Sequence, residues 1–514
     1  MVPGVGRLKQ RSTEFALGEM LKLLSSNPEK NLVRMARLAE TLGTSEYQRH
    51  NAKVWREYFE TALQQDPPPV AMQLVLRAIH STSSRCLSRT VSNLVVNSLW
   101  QGGAKRSAWE RANDAKAPFI ILMSPTMRCN LDCVGCYAGE YDQKDDLPME
   151  VIDRIVSEGR ELGIHAFTLL GGEPFVRKDV LDLLERNSDC DFLVFTNGTL
   201  VDEALASRLA KAANIAVCLS VDGCEATNDA RRGPGALRRT EQAMALLRAK
   251  KIPFGFSTMI TSQNYLEATS DEFCDYLIGQ GCLFGFHFLY MPVGAAPDLD
   301  LMPTPEQREY LRVNGAERIR SEKCLFVMDF WNDAPHVGGC IAGGRAYLHI
   351  TSTGDVEPCI FTHFAVDNIK EKPLTEVLKS PFFRAIQTRQ PFSDNLLRPC
   401  MLIDEPHVIR DIVSSTGARP THPGADDLIT SYAAAIDDYS AGFKTLADAA
   451  WQAMRPHEVP YGTPADVLDQ ADEVLDEALD ETSDEVAALQ AAVDETDLDQ
   501  TDVDEAGEYV GAAR

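Results

Sequence analysis

From about residue 117 the hydrophobic positions change rhythm. Short apolar runs at 119–123, 166–170, 192–196, 215–221, 254–260 and 284–290 alternate with longer amphipathic segments at 149–162, 180–186, 202–213, 236–250 and 271–280. The runs have strand length, and the segments between them repeat their apolar residues at helical spacing. Strands separated by helices require right-handed crossovers and a parallel sheet. About six such units predict an α/β open barrel or curved sheet, in which ligands bind at the carboxyl ends of the strands. Motifs that carry chemistry should therefore fall just after strands.

The flanks read differently. Residues 1–115 are mostly helical, with apolar positions such as Phe15, Leu17, Met20, Leu21 and Leu24 at helical spacing and a similar stretch over 70–99. No chemical motif lies there, so this region is expected to be a helical cap or interaction domain. Residues 335–410 are rich in Gly and Pro, with a hairpin expected over 347–356 that turns at Thr353-Gly354-Asp355. Helix returns over about 425–455. The expected divisions are 1–115, 116–323, 324–410, 411–460 and 461–514.

Charge changes the picture at the carboxyl end. From Pro464 to Arg514 there are 18 Asp and Glu against one basic residue, a net −17 of the chain's −26, so the other 463 residues carry −9. The tail is expected to be a solvated, disordered appendage. The body has no basic excess to neutralise phosphates, which excludes duplex nucleic acid as a partner. No apolar run reaches the roughly 18 residues of a membrane span. The start shows no signal-peptide pattern, and the expected compartment is the cytoplasm. Thirteen cysteines, an odd number, argue against a disulfide framework and for reduced thiols, metal ligands or catalysis.

The strongest chemical signal follows the first strand: Cys129-Asn-Leu-Asp-Cys133-Val-Gly-Cys136-Tyr137. Three thiolates at this spacing on one loop suit an iron–sulfur cluster with one iron left open. The alternative is zinc, but a structural zinc site wants four closed ligands, and no fourth Cys or His lies nearby in the sequence.

C-x3-C-x2-C followed by an aromatic residue, on the loop after the first strand, resembles the cluster motif of the radical S-adenosylmethionine (SAM) superfamily. The resemblance implies a [4Fe–4S] cluster on Cys129, Cys133 and Cys136, SAM on the open iron beside Tyr137, and reductive cleavage of SAM to a radical that takes a hydrogen atom from a substrate. It also makes the fold a partial (β/α)6 radical SAM barrel with a helical N-terminal region and a small C-terminal auxiliary iron–sulfur domain. Gly171-Gly172-Glu173-Pro174, at the end of the second strand, is similar to the family's GGEP motif, whose backbone and Glu hold the SAM amino group. Asn197 ends the third strand. Ser220-Val221-Asp222-Gly223 and Asp229-Ala230-Arg231-Arg232-Gly233 resemble a pair that contacts SAM ribose and carboxylate. This carries over to Ser220, Asp222 and Arg232, although Asn228 stands where the family often has His. Cys340, Gly354 and Cys359 resemble the opening of the SPASM and twitch extensions. The further cysteine-dense stretch of a full SPASM domain is missing and only Cys400 follows, which implies one second [4Fe–4S] cluster on Cys340, Cys359 and Cys400. Its fourth ligand is left open between Cys324, another side chain and the substrate. The span 117–410 also resembles an uncharacterised bacterial group of these proteins, through its D-F-W-N-D and V-E-P-C elements.

Asp329-Phe330-Trp331-Asn332-Asp333 sets two carboxylates beside two aromatics, and Asp329 and Asp333 are candidate catalytic proton acceptors; a helix cap with core aromatics is the equal alternative. His287, His349 and His363 are read as structural. The expected partners are SAM, a substrate that is either a peptide or protein side chain or a small molecule, and a one-electron donor such as flavodoxin or ferredoxin. The competing class is a non-catalytic iron–sulfur or zinc-binding protein, which would have the cysteines and no use for the SAM contacts.

Overall fold

Residues 27–42, 46–138, 145–294 and 296–454 are described in a computed structural model. The apolar positions between residues 15 and 24 and the acidic tail lie outside them. Seven parallel strands follow one another in chain order: β1 (Ile120–Thr126), β2 (Ala166–Gly171), β3 (Asp191–Thr196), β4 (Ile215–Ser220), β5 (Phe254–Ile260), β6 (Phe284–Leu289) and β7 (Phe326–Asp329). The helices Met149–Glu161, Val180–Arg186, Glu203–Ala212, Ala236–Ala249 and Asp271–Gln280 occupy the crossovers. Six strands and these five helices match the expected rhythm to within a few residues. The seventh strand is only four residues long, and its Phe326 is exposed, so it gives little periodic signal. It is bonded to β6, which carries the sheet past the expected division at 323.

The hairpin is present as β8 (Tyr347–Ile350) and β9 (Val356–Glu357), with His349 opposite Glu357. The sequence pattern did not show that β8 also pairs in parallel with β1, Tyr347 opposite Ile120. The sheet order is therefore β7-β6-β5-β4-β3-β2-β1-β8-β9, and the carboxyl-terminal segment is built into the barrel wall beside the cysteine loop.

The two-residue period of the strands sorts their side chains. In β1, Ile121 and Met123 are fully buried in the main core, whereas Ile120 and Leu122 face an internal cavity. In β2, Phe167 and Leu169 back the sheet, and Thr168 and Leu170 face the cavity; in β3, Phe192 and Val194 do the first and Leu193 and Phe195 the second. Phe167 and Phe192 stack with centroids 5.7 Å apart. Each contributes about 1.5–3 kcal/mol by burial.

The N-terminal helices Val70–Ser81 and Gly102–Asn113 are fastened below the strands. Arg77 donates to the carbonyls of Ile278, Cys282 and Cys324 at 2.8 Å, and Arg106 donates to that of Gly163 at 2.7 Å. Gly163, Cys282 and Cys324 precede β2, β6 and β7, so this cap sits at the amino end of the sheet, away from the strand ends that carry the motifs. Residues 58–454 group into one unit by their contacts, and residues 36–57 belong to another. No helix among the described residues is long and apolar enough to cross a membrane.

Candidate active site

The chain leaves β1 at Thr126 and forms the loop that bears Cys129, Cys133 and Cys136. Neighbouring strand ends fix this loop through backbone bonds. Gly172 N donates to Thr126 O at 3.0 Å and Glu173 N to Arg128 O at 2.8 Å. Gly171 has φ +114°, and a Cβ on it would stand 2.4 Å from Thr126 O; one on Gly172 would stand 2.3 Å from Arg128 O. Both positions need glycine because the second strand end lies directly on the cysteine loop. Val134 N donates to Arg231 O at 3.0 Å, and Asn197 Nδ2 donates to Asn130 Oδ1 at 2.9 Å and lies 3.9 Å from Cys129 Sγ. Tyr137 is half-buried, and its hydroxyl meets the Gly171 backbone.

Gly171, Gly172, Asn197, Ser220, Arg232 and Tyr137 all line the cavity. Arg231, which the motif reading left out, lines it too; its place in the helix Glu225–Arg232 beside Arg232 was the available signal. Three expected site residues lie behind this wall. Glu173 is fully buried and does not line the cavity. Its carboxylate accepts from Thr196 Oγ1 at 2.8 and 2.9 Å, Asn197 N at 2.8 Å and Phe175 N at 3.0 Å, and burial pushes its pKa up to about 7. Glu173 thus clasps β2 to β3, and Pro174 opens the short turn behind it. Asp222 accepts from Arg232 Nε at 2.6 Å, Arg231 Nη1 at 2.8 Å and Met259 N at 2.9 Å. Burial alone would raise its pKa, but Arg232 and Arg231 hold it well below the usual carboxylate range. Asp222 therefore aims the two arginines rather than facing the cavity itself. Asn228 takes up the departure from the family pattern: its Oδ1 accepts from Asp222 N at 3.1 Å.

The later cysteines come from three separate segments. Cys340 meets the Ala342 backbone and the Gln390 side chain, and burial pushes its thiol up to about 12. Cys359 receives the Tyr347 hydroxyl at 3.2 Å and the backbone of Phe361 and Thr362. Cys400 receives Leu402 N at 3.4 Å. Its loop is held by Asp404, which accepts from Cys400 N at 3.0 Å and from Arg308 Nη1 at 2.6 Å. Arg308 and Asp404 are both buried, and the guanidinium lies 3.6 Å from the Phe443 ring centroid.

All six of these cysteines line one cavity of about 400 Å³. A tetrahedral zinc with Zn–S bonds of 2.3 Å needs sulfurs about 3.8 Å apart. Among the described residues only His165, Asp189 and Cys190 bring three potential ligand atoms within 4.8 Å of one another, and none of these lines the cavity. Each cysteine set is more widely spread, as a cube bound through separate irons requires. Cys129, Cys340, Cys359 and Cys400 also have backbone N–H donors beside them, which suits cluster thiolates. The donor sets fit iron–sulfur clusters better than one metal ion.

The D-F-W-N-D element divides. Phe330 and Trp331 line the cavity, whereas Asp329 and Asp333 do not. Asp329 accepts from Trp331 N, Asn332 N and Asn332 Nδ2 at 2.8–3.2 Å, and Asp333 pairs with Arg320 at 2.6 Å. Both expected catalytic carboxylates are thus engaged in ordering the turn at 329–333, and Asp333 makes no side-chain cap bond to the helix Ala334–Val337. Cys324 donates to Gln73 Oε1 at 3.5 Å, outside the cavity wall. His349 bonds Ser124 and Glu357 at 2.8 and 2.7 Å, a structural role, and His363 lies beside the same Glu357. His287 is buried, and burial pushes its pKa down to about 4.

Part of the cavity wall is aromatic. Phe286 and Phe288 stack at 5.8 Å, Phe288 and Phe330 at 5.5 Å, and Phe195 meets Phe286 at 5.3 Å.

A parallel barrel with a three-cysteine loop after β1 and polar strand ends around it defines an iron–sulfur enzyme class. The radical SAM superfamily model matches residues 123–273, and that of SPASM, an iron–sulfur cluster-binding domain, matches residues 340–401. The chain is 27% identical over 291 residues to the AdoMet-dependent heme synthase of Methanosarcina barkeri, covering 51% of this chain and 82% of the relative. It is 31% identical over 317 residues to the Fe-coproporphyrin III synthase of the same organism, covering 53% and 77%. It is 30% identical over 277 residues to the mycofactocin maturase of Mycobacterium tuberculosis, covering 51% and 69%. The chain belongs to the radical SAM superfamily: it is an enzyme that uses SAM and a [4Fe–4S] cluster and carries a SPASM-type auxiliary iron–sulfur domain.

Proposed function

We infer that Cys129, Cys133 and Cys136 hold the SAM-cleaving cluster and that Cys340, Cys359 and Cys400 hold one auxiliary cluster. Bound and reduced, the first cluster supplies the electron that cleaves SAM to methionine and a 5′-deoxyadenosyl radical, which takes hydrogen from the substrate. The observation that carries this reading is that both cysteine sets line one cavity. Gly171, Gly172, Asn197 and Ser220 form the polar side of the SAM seat. Arg232 and Arg231 set positive charge where the SAM carboxylate would lie, and Asp222 positions them. Glu173 and Pro174 hold that seat from behind.

The substrate presents an uncharged aromatic or aliphatic group to Phe195, Phe286, Phe288 and Phe330. Arg231 and Arg232 are the charged side chains among the described lining residues, and both stand in the last turn of the helix after β4. The aromatic wall also excludes water from the radical. A peptide or protein side chain or a small molecule could carry such a group. The electron comes from a flavodoxin- or ferredoxin-type donor, and duplex nucleic acid is not a partner. The catalytic domain runs through β7, so its division from the auxiliary domain falls after Asp329.

The test is anaerobic reconstitution with iron and sulfide, reduction with dithionite, and assay of SAM binding and 5′-deoxyadenosine. The reading expects SAM to perturb the spectrum of the reduced cluster and 5′-deoxyadenosine to form. An intact reduced cluster that shows no response to SAM would instead favour a non-catalytic iron–sulfur protein.

A further inference from the structure

Tyr347 is the first residue of β8 and lines the cavity. Its ring lies 6.4 Å from that of Phe330, and its hydroxyl donates to Cys359 Sγ at 3.2 Å. The other donors to these sulfurs come mostly from backbone N–H groups within two or three residues of each cysteine. Tyr347, like Gln390 at Cys340, donates from a side chain elsewhere in the chain, and its backbone is fixed in β8 by pairing with Ile120 of β1. Hydrogen bonds to cluster sulfurs raise a cluster's reduction potential, because they stabilise the more negative, reduced state.

We propose that Tyr347 is a positioning and tuning residue whose hydroxyl, donated to the Cys359 thiolate, raises the reduction potential of the auxiliary cluster. Because Tyr347 also borders the aromatic wall through Phe330, a substrate that shifts this ring would change that potential on binding. The proposal rests on the reading of Cys340, Cys359 and Cys400 as auxiliary-cluster ligands.

The test uses the full chain carrying Cys129→Ala, Cys133→Ala and Cys136→Ala, reconstituted so that only the auxiliary cluster is present, with its midpoint followed by electron paramagnetic resonance during redox titration. Adding Tyr347→Phe should keep the iron and lower the reduced-to-oxidised ratio at a fixed potential about tenfold, a shift of about 59 mV for a one-electron couple. Site-specific 3-fluorotyrosine at position 347 keeps the shape of the side chain and donates more strongly, so it should move the midpoint the other way. An unchanged midpoint in both forms overturns the tuning role. Loss of the iron on Tyr347→Phe overturns it as well, because Tyr347 would then be a ligand or a scaffold. Absence of iron before Tyr347 is touched removes the auxiliary-cluster reading itself, and the proposal with it.

Discussion

The two cysteine sets reach one cavity by different routes. Cys129, Cys133 and Cys136 lie within eight residues on one loop, and strand ends from β2, β3 and β4 converge on that loop to build a polar seat. Cys340, Cys359 and Cys400 span 61 residues and are brought to the cavity by the pairing of β8 with β1 and by the buried Arg308–Asp404 pair that holds the Cys400 loop. Cys129 is exposed and the other five are half-buried; polar strand ends surround the first set, and Tyr347, local backbone donors and aromatic rings surround the second. On the reading proposed above, the first set admits a ligand to its cluster and the second holds the auxiliary cluster.

The sharpest break between the two sets comes from removing the first. Changing Cys129, Cys133 and Cys136 to Ala should abolish 5′-deoxyadenosine formation, while iron falls from about eight to about four per chain as one four-iron cluster is lost. Asp404→Ala attacks the second set. It strands a buried arginine and frees Cys400 N, so urea unfolding should show a loss of about 3–5 kcal/mol, with auxiliary iron lost preferentially. Glu173→Ala removes the acceptor of three buried donors behind the SAM seat. It should cost about 1–3 kcal/mol by the same measurement and weaken SAM binding, with Glu173→Gln intermediate. The smallest effect belongs to Asp329→Asn. The amide oxygen still accepts from the turn, so about 1 kcal/mol is lost and the rate of SAM cleavage, measured as 5′-deoxyadenosine, stays near that of the unaltered enzyme.

The same contrast explains what could be read from the sequence. The βα rhythm and the C-x3-C-x2-C loop are local, so periodicity and spacing revealed them. So did the placement of Gly171, Asn197 and Ser220 after successive strands. Orientation was not legible. Glu173, Asp222, Asp329 and Asp333 lie in chemical motifs, but each turns into hydrogen bonds behind the wall, and only three-dimensional packing decides which side of a strand end a carboxylate takes. Arg231 sits beside Arg232, and only Arg232 matches the family pattern, so the motif alone does not mark Arg231. The pairing of β8 with β1 joins residues more than two hundred positions apart, and no local pattern encodes it. β7 is not legible in the sequence, because four residues that begin with an exposed Phe326 are too short to show a period.

The most direct test of the account is anomalous scattering at the iron edge from crystals of the anaerobically reconstituted protein. The account predicts two compact iron peaks on the walls of one cavity, one held by Cys129, Cys133 and Cys136 and the other by Cys340, Cys359 and Cys400. A single iron peak, or a second one away from Cys340, Cys359 and Cys400, would contradict it.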